Sequence, residues 1–358
     1  MAHDDSGIRA NLSHCMPVYA PQPTPACVPR VTRRTPHAAR RTPPGIYAAM
    51  PIITALLVVT LSVALSLQLF ASIDIGTRLT GNLAMQANQQ WALHAALDVA
   101  RARLATNRQT TGYDALNQPW ARAVDDVSWS RFLGIRDAGP LDGIRVSQRI
   151  SDEQAKFNLN TLITTPQQQD AAPYVAQEAL AIYRRLLNLL SLDPALAGVT
   201  ADILLRQAQA KAHGIYCCTA ERTALDNFDS LRSVPGYTPQ VLERLRRYVT
   251  VLPGASTLNV NTATPLVLAA VIKGLSLEQA EAVLSRRTEH PFVTLADFST
   301  QFSAAGIPGQ ANNASLGVRS SYYSVLTRVR DGQAERASRA LLHRISTTVV
   351  VENTRRIE

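Results

Sequence analysis

Apolar side chains follow one another from Met50 to Ile73, MPIITALLVVTLSVALSLQLFASI, and no charged side chain stands between Arg41 and Asp74. As a helix this run spans roughly 35 Å, enough to cross the hydrocarbon core of a bilayer. Beyond it, Leu79, Leu83, Ala87, Trp91, Leu93, Leu97, Ala100 and Leu104 recur at helical spacing. No proline interrupts Ile52 to Leu116. One long helix is therefore predicted to leave the membrane run and continue as an amphipathic stem, with Gly76 and Gly81 as points where it can bend. The period then shortens. Ile144, Val146 and Gln148 alternate with Arg145, Ser147 and Arg149, so Leu141 to Leu162 reads as short strands with a turn at Ser151-Asp152-Glu153. Helical spacing returns from Tyr174 to Leu190, through Leu180, Tyr183, Leu186 and Leu187, and helices continue to about Arg287. Strand character resumes at Tyr322 to Arg330, Asp331-Gly332 is a hairpin turn, and Thr347 to Glu352 makes a last strand.

The predicted order is long helix, strands, helical block, strands. That is an α+β chain with a helical subdomain, 162–317, inserted in a strand region. Each flank alone has too few strands to be stable, so Ile144–Ile150 and Tyr322–Arg330 are expected in one sheet. The remaining divisions are a leader over 1–49, a transmembrane helix over 50–73, stem and first strands over 74–161, and closing strands and tail over 318–358.

Composition sharpens this picture at the amino-terminal side. Met1 to Ala49 is rich in Pro, Arg, Thr and Ala without apolar periodicity, so it is expected to be disordered. Arg30, Arg33, Arg34, Arg40 and Arg41 precede the apolar run and Asp74 follows it. The positive-inside rule puts such a tail in the cytoplasm and the bulk of the chain outside. A secretory signal peptide fits less well, because the apolar run is too long and no A-x-A site follows it closely. Elsewhere the balance is globular, with 46% apolar and 18% charged residues. The net charge of +9 admits nucleic acid or acidic lipid as partners, but part of that excess lies in the first 41 residues.

The candidate chemistry is sparse. The four cysteines, Cys15, Cys27, Cys217 and Cys218, have no metal-ligand spacing, and adjacent cysteines rarely bridge. Asp152-Glu153 is a carboxylate pair, read here as solvated in its turn rather than catalytic. His94 and His213 have no partner nearby in sequence, and neither a G-x-S-x-G nor a phosphate-binding loop is present. No catalytic residue and no cofactor are expected. Two stretches of the helical block resemble one another: Ser233 to Gln240 around Gly236, and Val271 to Gln279 around Gly274. In each, Gly stands two residues before the Thr or Ser that opens a helix. Pro239 fits a first helical position, and Ser276 with Gln279 a capping box. Basic residues follow: Arg244, Arg246 and Arg247, then Arg286 and Arg287. The pair resembles helix-hairpin-helix modules. DNA-binding versions carry a second glycine so that backbone amides reach a phosphate; here Gly236 and Gly274 are followed by Tyr-Thr and Leu-Ser and the second glycine is missing in both, which favours packing against protein.

Four segments together resemble the K-type minor pseudopilin of type II secretion systems. They are Ile52 to Val59; Gln89-Gln90-Trp91-Ala92-Leu93; Tyr113 to Ala121, with Tyr113 and Trp120; and Ile150 to Asn160, with Asp152, Glu153, Lys156, Phe157, Asn158 and Asn160. The resemblance covers about Met50 to Arg344. It implies a pilin-like fold: a long N-terminal transmembrane helix on a small antiparallel sheet, with a large inserted α-helical domain of helix-hairpin-helix, SAM-like type. It implies cleavage by the prepilin peptidase, an inner-membrane-anchored, structural role at the tip of a periplasmic pseudopilus in protein export, and I, J and H type minor pseudopilins as partners. In this register cleavage falls between Ala49 and Met50, with Gly45-Ile46 as the alternative, and mature position five is Thr54. Some members bind calcium. Here Ala201 to Cys218 supplies only Asp202 as a carboxylate, where calcium needs several. Two rivals remain: a membrane-anchored DNA receptor using the hairpin pair, and a membrane-anchored hydrolase.

Overall fold

A computed structural model describes residues 50–166, 171–212, 225–304 and 315–357. The chain divides into two compact units, one ending at Ala71 and one running from Ser72 to Glu358. Helix α1, Met50–Thr110, runs 61 residues through the boundary between them. In the first unit its side chains stand in the open: Ile52 is 65% and Phe70 72% exposed. The few hydroxyls on this stretch turn back onto the helix. Thr60 donates to the Leu57 carbonyl, Ser62 to Val58 and Ser66 to Ser62. Back-bonding leaves these groups satisfied without water, as an apolar solvent requires.

In the second unit, α1 lies on one face of a five-stranded sheet of order β1-β2-β9-β10-β11. Following α1 come β1 (Val124–Ser128), α2 (Trp129–Leu133) and β2 (Arg145–Asp152). The helical block then carries the short pieces β3 (Phe157–Asn158), β4 (Ile163–Thr164) and β5 (Tyr174–Val175), followed by α3 (Gln177–Leu189), α4 (Ala195–Ala212) and α5 (Pro239–Leu245). It closes with β6 (Val249–Thr250), β7 (Leu258–Asn259), α6 (Pro265–Val271), α7 (Leu277–Ser285), α8 (Leu295–Ala304) and β8 (Leu316–Gly317). The chain ends in β9 (Tyr322–Asp331), β10 (Ala334–Ile345) and β11 (Thr348–Ile357). β2 and β9 pair antiparallel, from Arg145↔Arg330 to Asp152↔Tyr323. The whole helical block therefore leaves the sheet at the end of β2 and returns to it at the start of β9.

The stem packs through small residues. Ala92, Ala96 and Ala100 are fully buried, and short side chains let the helix approach the sheet closely. Trp129, Phe132, Ile144, Val146 and Val329 fill one end of the interface, and Trp120, Ile150, Tyr323, Val325 and Leu342 the other. A separate core unites the helical block around Leu159, Tyr183, Leu186, Leu231, Val267 and Phe298.

Several elements differ from the sequence expectation. α1 stops at Thr110, where Thr111 and Gly112 lead into a turn, and not near Leu116. Leu79 and Leu83 are 57% and 55% exposed; Ala87 and Trp91 are exposed too, and the buried stripe begins only at Gln89. β1 carries no alternating signal in the sequence because Asp126 takes a positive φ of 47° and the register shifts between Val124 and Val127, which breaks the alternation. Tyr174 lies in a strand, and helix begins three residues later. The helices continue to Ala304, beyond Arg287. β11 runs past Glu352 because β10 continues alongside it to the pair Ala337↔Ile357. Asp331 pairs with Ala334 around Gly332, whose φ of 58° suits the tight two-residue turn.

Candidate functional site: a buried polar junction

Where α1 ends, the five-stranded sheet and the helical block meet on charged and polar side chains rather than on apolar ones. Arg344, near the end of β10, and Asp114, in the turn after α1, form an ion pair of 2.5 Å with side chains 3% and 2% exposed. The partners saturate it. Arg344 also donates to the carbonyls of Leu104, at 3.2 Å, and Ser320, at 2.6 Å. Asp114 accepts from the Ser320 amide and from the Asn107 side chain. A buried ion pair holds only when further hydrogen bonds support it, as these do. Gln118 extends the network: its Oε1 accepts from Asn107, from the Ala115 amide and from the Trp120 indole. Trp120 in turn meets Tyr323 edge-on.

Asp152 ends β2 and enters the same junction. Its Oδ2 accepts from Ser320 at 2.5 Å, Thr262 at 2.6 Å and Asn259 at 3.1 Å, while Oδ1 accepts from the Gln154 amide. Burial raises its pKa to about 6; the hydrogen bonds pull against this, and the Asp114 carboxylate adds to it. Asn259 binds three parts of the molecule at once, donating to Asp152, Ser320 and the Asp114 carbonyl. The expectation that Asp152 and Glu153 are solvated in a turn is thus corrected. They are 4% and 8% exposed. The turn lies beneath the helical block, whose segments cover it.

Glu153 takes a different route to burial. Lys156 donates to both of its oxygens, at 3.0 and 2.9 Å, and Thr250 donates at 2.8 Å. Burial pushes its pKa upward, but the Lys156 ammonium and the bonds from Ser324, Lys156 and Thr250 win, so it lies below its ordinary value. Phe157 stacks on Tyr183, with ring centroids 5.6 Å apart. Asn158 receives the Leu252 amide and donates to the Gly254 carbonyl, and Asn160 donates to the Leu252 carbonyl. These asparagines hold the segment between β6 and β7 against the start of the helical block. Tyr113 contributes its backbone carbonyl, which accepts from Thr111 and Gln118.

The hairpin glycines both take positive φ, 89° at Gly236 and 87° at Gly274. Thr238 and Ser276 cap the helices that follow, with Pro239 in the first turn and a complete Ser276–Gln279 capping box. Their tips face inward. A Cβ on Gly236 would stand 2.6 Å from Leu196 Cδ2. Tyr237 is buried and bonded to Tyr183 and Thr200, and Leu275 is buried. Two of the arginines behind the hairpins are used internally: Arg246 pairs with Asp229, and Arg287 donates to the Val260 and Ala263 carbonyls. Nothing here favours a phosphate-binding role.

Thr54 lies in the exposed apolar part of α1. Ala49, Gly45 and Ile46, the four cysteines, His213 and the leader lie outside the described residues, as does part of the Ala201–Cys218 region. Among the described residues no group of three His, Cys, Asp or Glu is placed to hold a metal.

Asn259 belongs to the stretch Leu258 to Phe298 that resembles a helix-hairpin-helix most closely, whereas Arg344 and Ser320 stand in no sequence motif. Arg344 was detectable, because Ala340, Leu342 and Arg344 share the core-facing side of β10 and a lone arginine at an inward position needs a buried partner.

Two family models match the chain, both described as type II secretion system protein K, over residues 155–254 and 258–319. The chain is 27% identical over 309 residues to type II secretion system protein K of Pectobacterium carotovorum subsp. carotovorum, covering 81% of this chain and 91% of that one. It is 26% identical over 299 residues to the protein of the same name from Aeromonas hydrophila, covering 76% and 86%. Its fold is similar to a chain in the crystal structure of the GspK-GspI-GspJ complex of the enterotoxigenic Escherichia coli type 2 secretion system, with a TM-score of 0.58 and 19% identity over 78% of this chain and 99% of that one.

Proposed function

We infer that the chain is a type II secretion system protein K, which the two family models and the relatives support, and propose that this minor pseudopilin stands at the tip of the pseudopilus as a structural, non-catalytic subunit. The observation that carries the proposal is the exposed apolar stretch of α1, Ile52 to Ile73, which contains no carboxylate. In pilin-like filaments a Glu at mature position five neutralises the terminal amine of the adjacent subunit. A buried charge is costly without a partner. With Thr54 at that position, this subunit accommodates no neighbour's amine, so the filament ends on it.

The subunit is anchored in the inner membrane by that helix, with its second unit in the periplasm. The prepilin peptidase removes the leader after Ala49, leaving Met50 as the new terminus. I and J type pseudopilins, with which the Escherichia coli relative was crystallised, are the neighbours on the membrane side, together with the H type.

Cysteine crosslinking between the membrane helices of assembled pseudopili tests the capping role. Crosslinks to pseudopilins on the membrane side alone are expected; a pseudopilin docked on the side facing away from the membrane overturns it. Sequencing of the membrane-extracted protein should begin at Met50. A start at Ile46 moves the cut to Gly45, and an uncut chain contradicts processing altogether.

A further inference from the structure

The sheet has two faces, and only the inner one is covered by the stem. The register puts Arg145 opposite Arg330 and Ser147 opposite Arg328 on the other face. One rung of that face crosses four strands as Arg149, Leu326, Arg339 and Arg355. All six arginines are exposed. Like charges opposite one another destabilise a sheet, so such a face normally carries its own counter-charges. Half of it does. Asp126 lies 3.1 Å from Arg145 and 3.8 Å from Arg330; Glu335 reaches Arg330 at 3.5 Å, and Asp229 reaches Arg355 at 3.3 Å. Among the described residues, the side chains of Arg149, Arg328 and Arg339 enter no ion pair. Asp125 is the acid that shares a groove with Arg149 and Arg328.

The face also leads into a cleft. The helical block folds over its far end, where Phe228, Val251 and Pro253 from that block meet Arg339 and Leu341 of the sheet; Glu153, Asp226, Asp229 and Glu352 line the same cleft, held by Lys156, Ser230, Arg246 and His343 respectively, and the cavity measures about 250 Å³. That is below the roughly 300–1,000 Å³ of small-molecule sites and matches a single large side chain. Apolar walls at Phe228, Val251, Pro253 and Leu341, beside Arg339 as the lining cation without an ion pair among the described residues, suit a protein docking surface, because Arg binds carboxylates through two parallel hydrogen bonds.

We propose that this outer sheet face docks an extended acidic segment of a partner protein, one apolar side chain filling the cleft and its carboxylates lying on Arg149, Arg328 and Arg339. This inference does not rest on the tip assignment.

The test uses the full chain in nanodiscs of zwitterionic lipid and a fluorescein-labelled peptide of alternating Glu and Asp with one central Phe, read by fluorescence anisotropy. Arg149→Glu, Arg328→Glu and Arg339→Glu together should weaken binding more than about tenfold. The neutral triple change of the same arginines to Gln guards against misfolding and should give a smaller loss. Arg206→Glu with Arg286→Glu, elsewhere on the surface, should change affinity less than about twofold by the same reasoning. Replacing the peptide's Phe by Ser should also weaken binding. Absence of peptide binding, equal loss in the distant pair, or binding of phosphatidylglycerol vesicles or duplex DNA without binding of peptide each overturns the proposal.

Discussion

Ile52 to Ile73 and the junction around Arg344 break the usual rule of protein surfaces in opposite directions. On the helix, large apolar side chains are half or more exposed; at the junction, an arginine and two aspartates are almost wholly enclosed. Each exception is stable for its own reason. The helix needs a different solvent, and its backbone and hydroxyls are already satisfied without water. The junction needs complete pairing, and Ser320, Asn259, Thr262 and Asn107 supply it. What is exposed in the first region is long and apolar enough to cross a membrane. What is buried in the second locks a helical block onto a sheet without depending on any partner.

The strongest way to break the comparison is to put charge on the helix. Val59→Arg with Val63→Arg should cost about 5–7 kcal/mol of insertion at roughly 2.5–3.5 each. Carbonate extraction should then shift the protein out of the membrane fraction, while thermal melting of the second unit stays as it was. Full retention in the membrane would mean that another protein, and not lipid, covers those side chains.

The next largest effect comes from removing one charge of the enclosed pair. Arg344→Met should destabilise the second unit by about 3–5 kcal/mol, because Asp114 is left buried and unpaired. Chemical denaturation followed by circular dichroism measures this. Changing Arg344 and Asp114 together to apolar residues should recover much of the loss, and failure to recover would show that the other hydrogen bonds, not the pair, dominate.

The smallest effect sharpens the comparison through pH. The folded pKa of Asp152 is raised by burial from its ordinary 3.8 to about 6. Its contribution is therefore fully present below the unfolded value and is lost as pH rises through about 6, a decline of roughly 3 kcal/mol. Glu153 acts with the opposite sign in a lower window. Its folded pKa is depressed, so its contribution is present above the unfolded value and is lost as pH falls through the folded one. Stability measured from pH 4 to 7.5 should fall less steeply in Asp152→Asn than in the unaltered chain. Parallel slopes would remove Asp152 as their source.

Much of this molecule can be read along the chain. The uncharged run fixed a membrane-type helix, since no soluble surface tolerates that many consecutive apolar residues. Alternation around Val146 gave β2, Asp331-Gly332 placed the β9–β10 turn, and Ser276 with Gln279 marked the start of α7, because each is a local rule of backbone geometry. The resemblance around Ile150 to Asn160 named the same family as the matching family models, through residues whose work is architectural.

What only the tertiary structure decided is the environment of the polar residues. Asp152 and Glu153 look like a surface turn because their neighbours in sequence are polar, yet the donors that make burial tolerable are Thr262, Ser320 and Thr250, all distant along the chain. Leu79, Leu83 and Trp91 continue the stem's apolar spacing, but the sheet does not cover them and they remain exposed. Periodicity reports which side of an element is apolar. What fills the space opposite that side depends on contacts between distant segments, and those are set by the fold as a whole.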